Sequence, residues 1–341
     1  MRDFGCSGFT WDTEDGKHLL GRTYDQFGNL DGNRIAVVPR NCRMRMEIDA
    51  ADSAFETKYG FAGMAVTGLE TPIMVDGINE KGLMGALLNF PAYADYGAQK
   101  GERRFQVHPA FFVTFLLGAC GTLEDVAEMA EQVRLTETLI FGHTMSVHYI
   151  FSDASGQSLV IEPDKNGLTV RRDSIGVLTN SPGYEWQLTN LSNYMHVDNL
   201  PKEPRSLNGR RVAVFGEKQG GTMGLPGDYT SPSRFIRLAF TKHYAVKGKN
   251  EPDGVGRMFH AFAPVDIPEG LIRAGEAAED YEMTLCTSVM CAESRTYYFS
   301  VTGNRRICAV CLEPELANRE IRYISLPVLQ DIDYLNGASP V

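Results

Sequence analysis

The sequence holds no apolar run long enough to cross a bilayer as a helix. Its most apolar stretch, residues 110–121, falls short of the roughly 20 residues that a hydrocarbon core of about 30 Å demands. Met1 to Gly5 carry no apolar segment of the kind a secretory signal needs, so a cytoplasmic protein without a membrane partner is expected. Basic residues are in deficit: 33 Lys and Arg stand against 43 Asp and Glu, a net charge of −10. That balance argues against a nucleic-acid partner, which needs clustered cations, and leaves recognition of any anion to individual arginines. The seven cysteines, Cys6, Cys42, Cys120, Cys286, Cys291, Cys308 and Cys311, are odd in number and scattered, unlike a disulfide framework. Cys308-Ala-Val-Cys311 lacks a second such pair, and the seven histidines form no HxxxH, so no metal and no other cofactor is expected. There is no GxSxG and no glycine-rich phosphate loop. Repeats and linkers are missing too, so the 341 residues, 43% hydrophobic, read as a chain with one sizeable core.

What is present alternates short β-rich runs with a few helical stretches. Residues 35–39 and 59–66 read as strands of a meander. From Asp76 to Gly82 the pattern is a turn, followed by a buried strand that ends at Asn89 before Pro91. Residues 107–120, apolar nearly all round, predict a buried helix. Thr122 then reads as the N-cap of a second helix with Leu123, Val126, Ala127, Ala130 and Val133 on one face. Strands are expected at 146–152, 157–162, 167–172 and 176–178, a helix at 233–246, and strands again at 281–290, 296–302, 306–312 and 321–325. Residues 196–231, rich in Gly, Pro and charge, form a long irregular excursion of the kind used as a functional loop or interface arm. The order of elements predicts layered α+β within a single domain.

Cys6 is the cysteine whose position stands out. Asp15-Gly16 lies between two runs rich in Thr, Phe, Trp and Leu, a strong hairpin signal. With those two as the loop residues, Cys6 faces Asp25 and lies close to Arg22, which places a carboxylate and a guanidinium within reach of a thiol. Arg22 and Asp25 have opposite strand parity, so this register requires the second strand to bend or end near Tyr24. Scission of the Gly5–Cys6 peptide would expose a thiol and an α-amine on one residue. Their reference pKa values, about 8.5 and about 7.7–8.0, make proton transfer from sulfur to nitrogen nearly thermoneutral, and no catalytic histidine is then needed. His148, within an alternating run, reads as a packed strand residue. Asn89 and Asn180 each close a β run near a proline, and Arg234 follows Ser-Pro-Ser; taken singly they are a turn residue, a turn residue and a helix-start arginine.

Taken together these residues resemble a known family. Cys6 with Arg22 and Asp25, then Asn79-Glu-Lys-Gly, Leu88-Asn89-Phe-Pro, Leu178-Thr-Asn180-Ser-Pro, Asn190-Leu-Ser-Asn-Tyr194 and Gly224-Leu-Pro-Gly-Asp-Tyr-Thr-Ser-Pro-Ser-Arg234-Phe occur in the order seen in the choloylglycine hydrolase family, which comprises conjugated bile salt hydrolases and penicillin V acylases. The resemblance implies an N-terminal nucleophile hydrolase, an α+β four-layer αββα sandwich with two antiparallel sheets, cleaving a linear amide of a small molecule through a thioester. It implies Cys6 as nucleophile with its own amine as base, and Asp25 orienting that amine. Arg22 would serve the thiolate, and Arg234 would complete the charge network. The Asn180 side chain and the Asn89 backbone N–H would form the oxyanion hole. Asn89 in place of the tyrosine usual in penicillin acylases favours a conjugated bile salt over penicillin V or an N-acyl homoserine lactone. A non-catalytic binder of amphipathic acids is the alternative from another class.

Tyr24, Phe27, Phe61, Met64, Leu139 and Ile140 are expected to hold the apolar part of the substrate. Many members begin Met-Cys, whereas here residues 1–5 precede Cys6. Either those five are a removable leader and residues 6–341 form the hydrolase domain, or the start is assigned too early, or the protein is inactive. The resemblance also implies a homotetramer, with 196–231 as its oligomerisation arm.

Overall fold

A computed structural model describes residues 5–47, 53–97, 104–165, 167–213, 220–273, 275 and 281–336. The elements that position the site are, in chain order, the strands β1 (Cys6–Asp12), β2 (His18–Phe27), β3 (Asn33–Val38), β4 (Phe61–Val66), β5 (Asp76–Asn79) and β6 (Met84–Asn89). Helices α1 (Phe112–Ala119) and α2 (Leu123–Ala130) come next, then β7 (Val147–Ser152), β8 (Ser158–Asp164), β9 (Gly167–Arg171), β10 (Val177–Leu178) and α3 (Tyr184–Leu191). The chain closes with α4 (Ser231–Tyr244), α5 (Glu251–Phe262), β11 (Tyr281–Cys291), β12 (Thr296–Val301), β13 (Asn304–Cys311) and β14 (Arg322–Ile324).

Hydrogen bonding arranges these strands as two antiparallel sheets, β10-β1-β2-β11-β12-β13 and β9-β8-β7-β6-β5-β4-β3-β14. Helices α4 and α5 pack on the first, α1 and α2 on the second, and β1 and β2 meet β6 across the middle. The result is the αββα order that the family resemblance implies. Both inner layers are covered on both faces, which is why Cys6 to Trp11 are all buried. Successive side chains of β1 point opposite ways: Phe9 packs on Phe262 of α5, ring centroids 4.8 Å apart, while Gly8 faces Ile150 of the other sheet.

Local chemistry accounts for most boundaries. α1 is buried all round except Ala119, and the Asn79 side chain donates to the carbonyls of Leu117 (2.9 Å) and Cys120 (2.7 Å) at its C-terminal end. Thr122 caps α2 as expected: its hydroxyl accepts from the Asp125 N–H and the Asp125 carboxylate accepts from the Thr122 N–H, a reciprocal capping box. Thr122→Ala is therefore expected to lower stability by about 1 kcal/mol, read as a lower denaturant midpoint at unchanged slope. Val133, placed on that helix by its spacing, lies instead in a short strand after the helix has ended at Ala130. Asp76 to Asn79 form a strand rather than a turn, and the reversal falls at Glu80 to Gly82. The excursion is less irregular than its composition implies, for Arg205–Leu207 and Arg210–Val212 pair as an exposed hairpin around Asn208-Gly209, both at positive φ. Residues 214–219 lie outside the described residues.

Candidate active site

The β1–β2 register differs by one residue from the sequence reading. Cys6 pairs with Tyr24 and Gly8 with Arg22, because the loop has three residues, Glu14 to Gly16, closed by the Thr13 N–H donating to the Lys17 carbonyl. Gly16, at φ 82°, supplies the left-handed residue such a loop requires. The shift removes the parity conflict. Cys6, Arg22 and Tyr24 now share the face that looks toward the second sheet, and Ser7, Thr23 and Asp25 share the face toward α4.

On the inner face, Arg22 is fully buried and its Nη2 donates to the Cys6 sulfur at 2.9 Å and to the Leu87 carbonyl at 3.2 Å. Its Nη1 reaches the Val75 carbonyl (3.4 Å) and the carboxylate of Asp76 (3.3 Å). Asp76 is held in turn by the hydroxyls of Ser288 (3.0 Å) and Tyr297 (2.6 Å). Asp76, read from sequence as the start of a turn, is thus the buried counterion of Arg22. Burial pushes the Cys6 thiol above its ordinary pKa, while the positive charge of Arg22 pulls it down. Removing that charge disfavours the thiolate, so Arg22→Gln is expected to move the midpoint of Cys6 alkylation to higher pH. A pH profile of iodoacetamide labelling followed by mass spectrometry checks this.

On the outer face, Asp25 is fully buried and accepts from the hydroxyls of Thr284 (2.6 Å) and Thr23 (3.3 Å). Burial raises its carboxyl, and Arg234, 3.9 Å away, counters that. Arg234 lies in the first turn of α4 and gathers the start of the chain: Nη1 donates to the Cys6 carbonyl (2.6 Å) and the Ser7 hydroxyl (2.5 Å), Nη2 to Asn180 Oδ1 (2.7 Å). Asn180 follows β10 and is fixed by Ser231 Oγ, which accepts from its backbone N–H at 2.9 Å. Its Oδ1 also accepts from the Cys6 backbone N–H at 2.8 Å, and its Nδ2 donates to the Asn89 carbonyl at 2.8 Å. All six residues proposed from the sequence for catalysis therefore lie in one connected group. Gly5 is closely surrounded: a β-carbon would stand 2.3 Å from Glu282 Oε1 and 3.2 Å from both Asp25 Oδ2 and Arg234 Nη2, so any larger residue requires the end of the Glu282 side chain to shift.

The Gly5–Cys6 peptide lies between two cavities. One, of about 630 Å³, is walled by Cys6, Tyr24, Gln26, Leu87, Asn89 and residues 140–147 apart from Gly142. The other, of about 610 Å³, is bordered by Gly5, Asn180, Arg234, Tyr229 and Glu282. Of the apolar residues picked out from the sequence, Tyr24 and Ile140 line the first cavity. Phe61 and Met64 do not: both are wholly buried in β4, and Phe61 packs toward α1 at Gly118. Leu139 is 57% exposed beside the cavity wall, and Phe27 is half-buried at the end of β2, neither lining it. Leu87, Phe141, Met145 and Val147 were not picked out. Leu87 and Val147 belong to strands whose runs look like ordinary core, and Phe141 sits at φ 50° before Gly142 at φ 80°, a tight reversal that local sequence does not announce. Ser231, Thr284 and Asp76 were missed as well, since a buried hydroxyl or carboxylate has no spacing signature.

Comparison with known proteins extends this geometry. The family model for linear amide C–N hydrolases of the choloylglycine hydrolase family matches residues 6–320. A bile salt hydrolase/transferase of Clostridium perfringens is 31% identical over 334 residues, covering 97% of this chain and 100% of that protein. A bile salt hydrolase/transferase of Lactiplantibacillus plantarum is 31% identical over 281 residues, 81% of this chain and 84% of that one. The crystal structure of a variant of conjugated bile acid hydrolase from Clostridium perfringens superposes with a TM-score of 0.87 at 31% identity, over 97% of this chain and 100% of that chain. Penicillin V acylase from Agrobacterium tumefaciens shares the fold, with a TM-score of 0.73 at 20% identity over 93% and 90% of the two chains.

Proposed function

The chain belongs to the choloylglycine hydrolase family and is a hydrolase of linear amides, and from that premise we propose that it cleaves conjugated bile salts with Cys6 as an N-terminal nucleophile. The observation that carries the reading is the joint placement of Cys6: sulfur against Arg22, backbone nitrogen against Asn180 Oδ1, and an apolar cavity alongside. Residues 1–5 are removed first. The Cys6 sulfur attacks the Gly5 carbonyl, the C–N bond breaks as the nitrogen takes the thiol proton, and water hydrolyses the resulting thioester to leave a free α-amine and thiol. That amine stays beside Asn180 Oδ1, with Asp25 and Glu282 close by.

In turnover the amine accepts the thiol proton as sulfur bonds to the substrate carbonyl carbon. It then delivers that proton to the departing nitrogen, and water releases the acyl group from sulfur. Arg22 favours the thiolate. Nδ2 of Asn180, which has a second hydrogen beyond the one given to Asn89, and the Asn89 backbone N–H stabilise the oxyanion, each worth about 2.7–4 kcal/mol in a preorganised site. Tyr24, Leu87, Ile140, Phe141, Met145 and Val147 offer the steroid an apolar wall. The names of the relatives support the bile-salt assignment, as does Asn89. Turnover of glycocholate, taurocholate, penicillin V and an N-acyl homoserine lactone by one preparation tests it. The reading expects the highest kcat/KM for a bile salt, and a clear preference for penicillin V or the lactone overturns the substrate while leaving the amidase chemistry in place.

The same reading makes 196–231 the oligomerisation arm of a cytoplasmic homotetramer. Leu200, Leu207, Val212 and Met223 are all exposed in it, an apolar set suited to a neighbouring subunit. Deleting the hairpin 205–212 is expected to shift the protein to smaller species on a sizing column.

A further inference from the structure

His148 of β7 is completely buried, yet it lies outside the chemistry described above. Three contacts fix its ring. Nε2 donates to the Thr179 carbonyl at 2.9 Å, one residue before Asn180. Nδ1 lies 3.3 Å from Glu162 Oε1. The ring stacks on Phe90, the residue after Asn89, with centroids 4.3 Å apart and planes 12° from parallel. Backbone pairing sets it beside the same strand end, since Val147 pairs with Asn89 and His148 with Leu88. One imidazole thus touches the neighbours of both asparagines, which themselves meet through Asn180 Nδ2 and the Asn89 carbonyl at 2.8 Å.

Glu162 anchors the other end of this brace. Its Oε1 accepts from the Tyr184 N–H at 2.9 Å at the start of α3, just past the turn that carries Asn180, and its Oε2 faces Arg171 Nε at 3.4 Å. Arg171 also pairs with Glu185 of α3. The carboxyl of Glu162 lies below its usual range although burial alone would raise it, because His148, the Tyr184 N–H and Arg171 favour its charged form. The Glu162–His148 contact is enclosed from solvent, and the path from Glu162 through His148 ends at the Thr179 carbonyl, one residue before the proposed oxyanion donor.

We propose that His148, oriented by Glu162, is a positioning residue that fixes Asn180 and Asn89 relative to each other and so sets the shape of the oxyanion site. The inference rests on the proposed roles of the two asparagines. It concerns the transition state rather than substrate affinity, so its signature is a loss in kcat with KM preserved.

His148→Phe keeps the stack on Phe90 and removes both polar contacts. On processed enzyme with a bile salt that the protein turns over, it is expected to lower kcat on the order of 10- to 100-fold, the cost of a small misplacement in a catalytic site, with KM within about twofold. His148→Gln, which retains a donor able to reach the Thr179 carbonyl, is expected to recover part of the loss. Wild-type kcat in His148→Phe, or a loss carried by KM, overturns the proposal. Asn180→Ala run in parallel separates the two layers: if it is slow while His148→Phe is not, only the positioning role falls, and if Asn180→Ala is itself at the wild-type rate, the oxyanion reading falls and this one with it. Should His148→Phe fail to fold, Glu162→Gln decides, with a kcat loss at constant KM in favour and wild-type kinetics against.

Discussion

Asn180→Ala is expected to reduce kcat by about 10²–10³-fold while changing KM little. Two functions of one side chain are lost together. Its Nδ2 holds the Asn89 carbonyl and is the proposed donor to the developing oxyanion, and its Oδ1 accepts from both the Cys6 nitrogen and Arg234 Nη2. Fold stability should suffer less than activity, because the Asn180 backbone stays tied to Ser231 and the neighbouring Thr179 carbonyl stays tied to His148. Steady-state kinetics together with a thermal melt distinguish the outcomes. A loss confined to KM, or a loss that merely follows a lowered melting temperature, removes Asn180 from the transition state.

Cys6→Ala is expected to abolish turnover altogether and to leave Met1 to Gly5 attached, since in the proposed mechanism the same sulfur performs both the processing step and the hydrolysis. Alanine is smaller than cysteine and so fits the site, and Arg22 keeps Asp76 as its counterion. The variant should therefore fold and bind a bile salt without converting it. Intact mass gives the leader and product analysis gives the turnover. If the leader is lost from Cys6→Ala, another protease removes it and the self-cleavage step is wrong.

The sequence was most legible where chemistry is local. The capping box at Thr122 and the strand end at Asn89 follow from side chains acting on their own backbone, and the buried helix read over 107–120 is present but shorter, Phe112–Ala119, after a strand at Phe105–Val107 and a 3-10 turn at Pro109–Phe111. The family motifs located the six polar residues because their order along the chain survives even where their contacts are distant. What escaped was set by tertiary packing. One extra loop residue in the β1–β2 hairpin reversed which of Arg22 and Asp25 shares a face with Cys6. α5 was not foreseen, because Pro252, Gly254 and Gly256 look like helix breakers. In fact the proline occupies the first turn, Asn250 caps the helix, and Gly254 lets the helix approach Thr13 and Leu19. Phe61 and Met64 could not be told from cavity residues, since a strand covered on both faces carries the same apolar signal throughout.

The account stands on the release of an amine at Cys6, and intact-mass measurement of catalytically active protein tests that most directly. It predicts that the active molecules have lost Met1 to Gly5 and begin at Cys6. Full turnover by molecules that all retain those five residues would contradict it, because the cysteine nitrogen would still be a peptide amide and could not carry the proton.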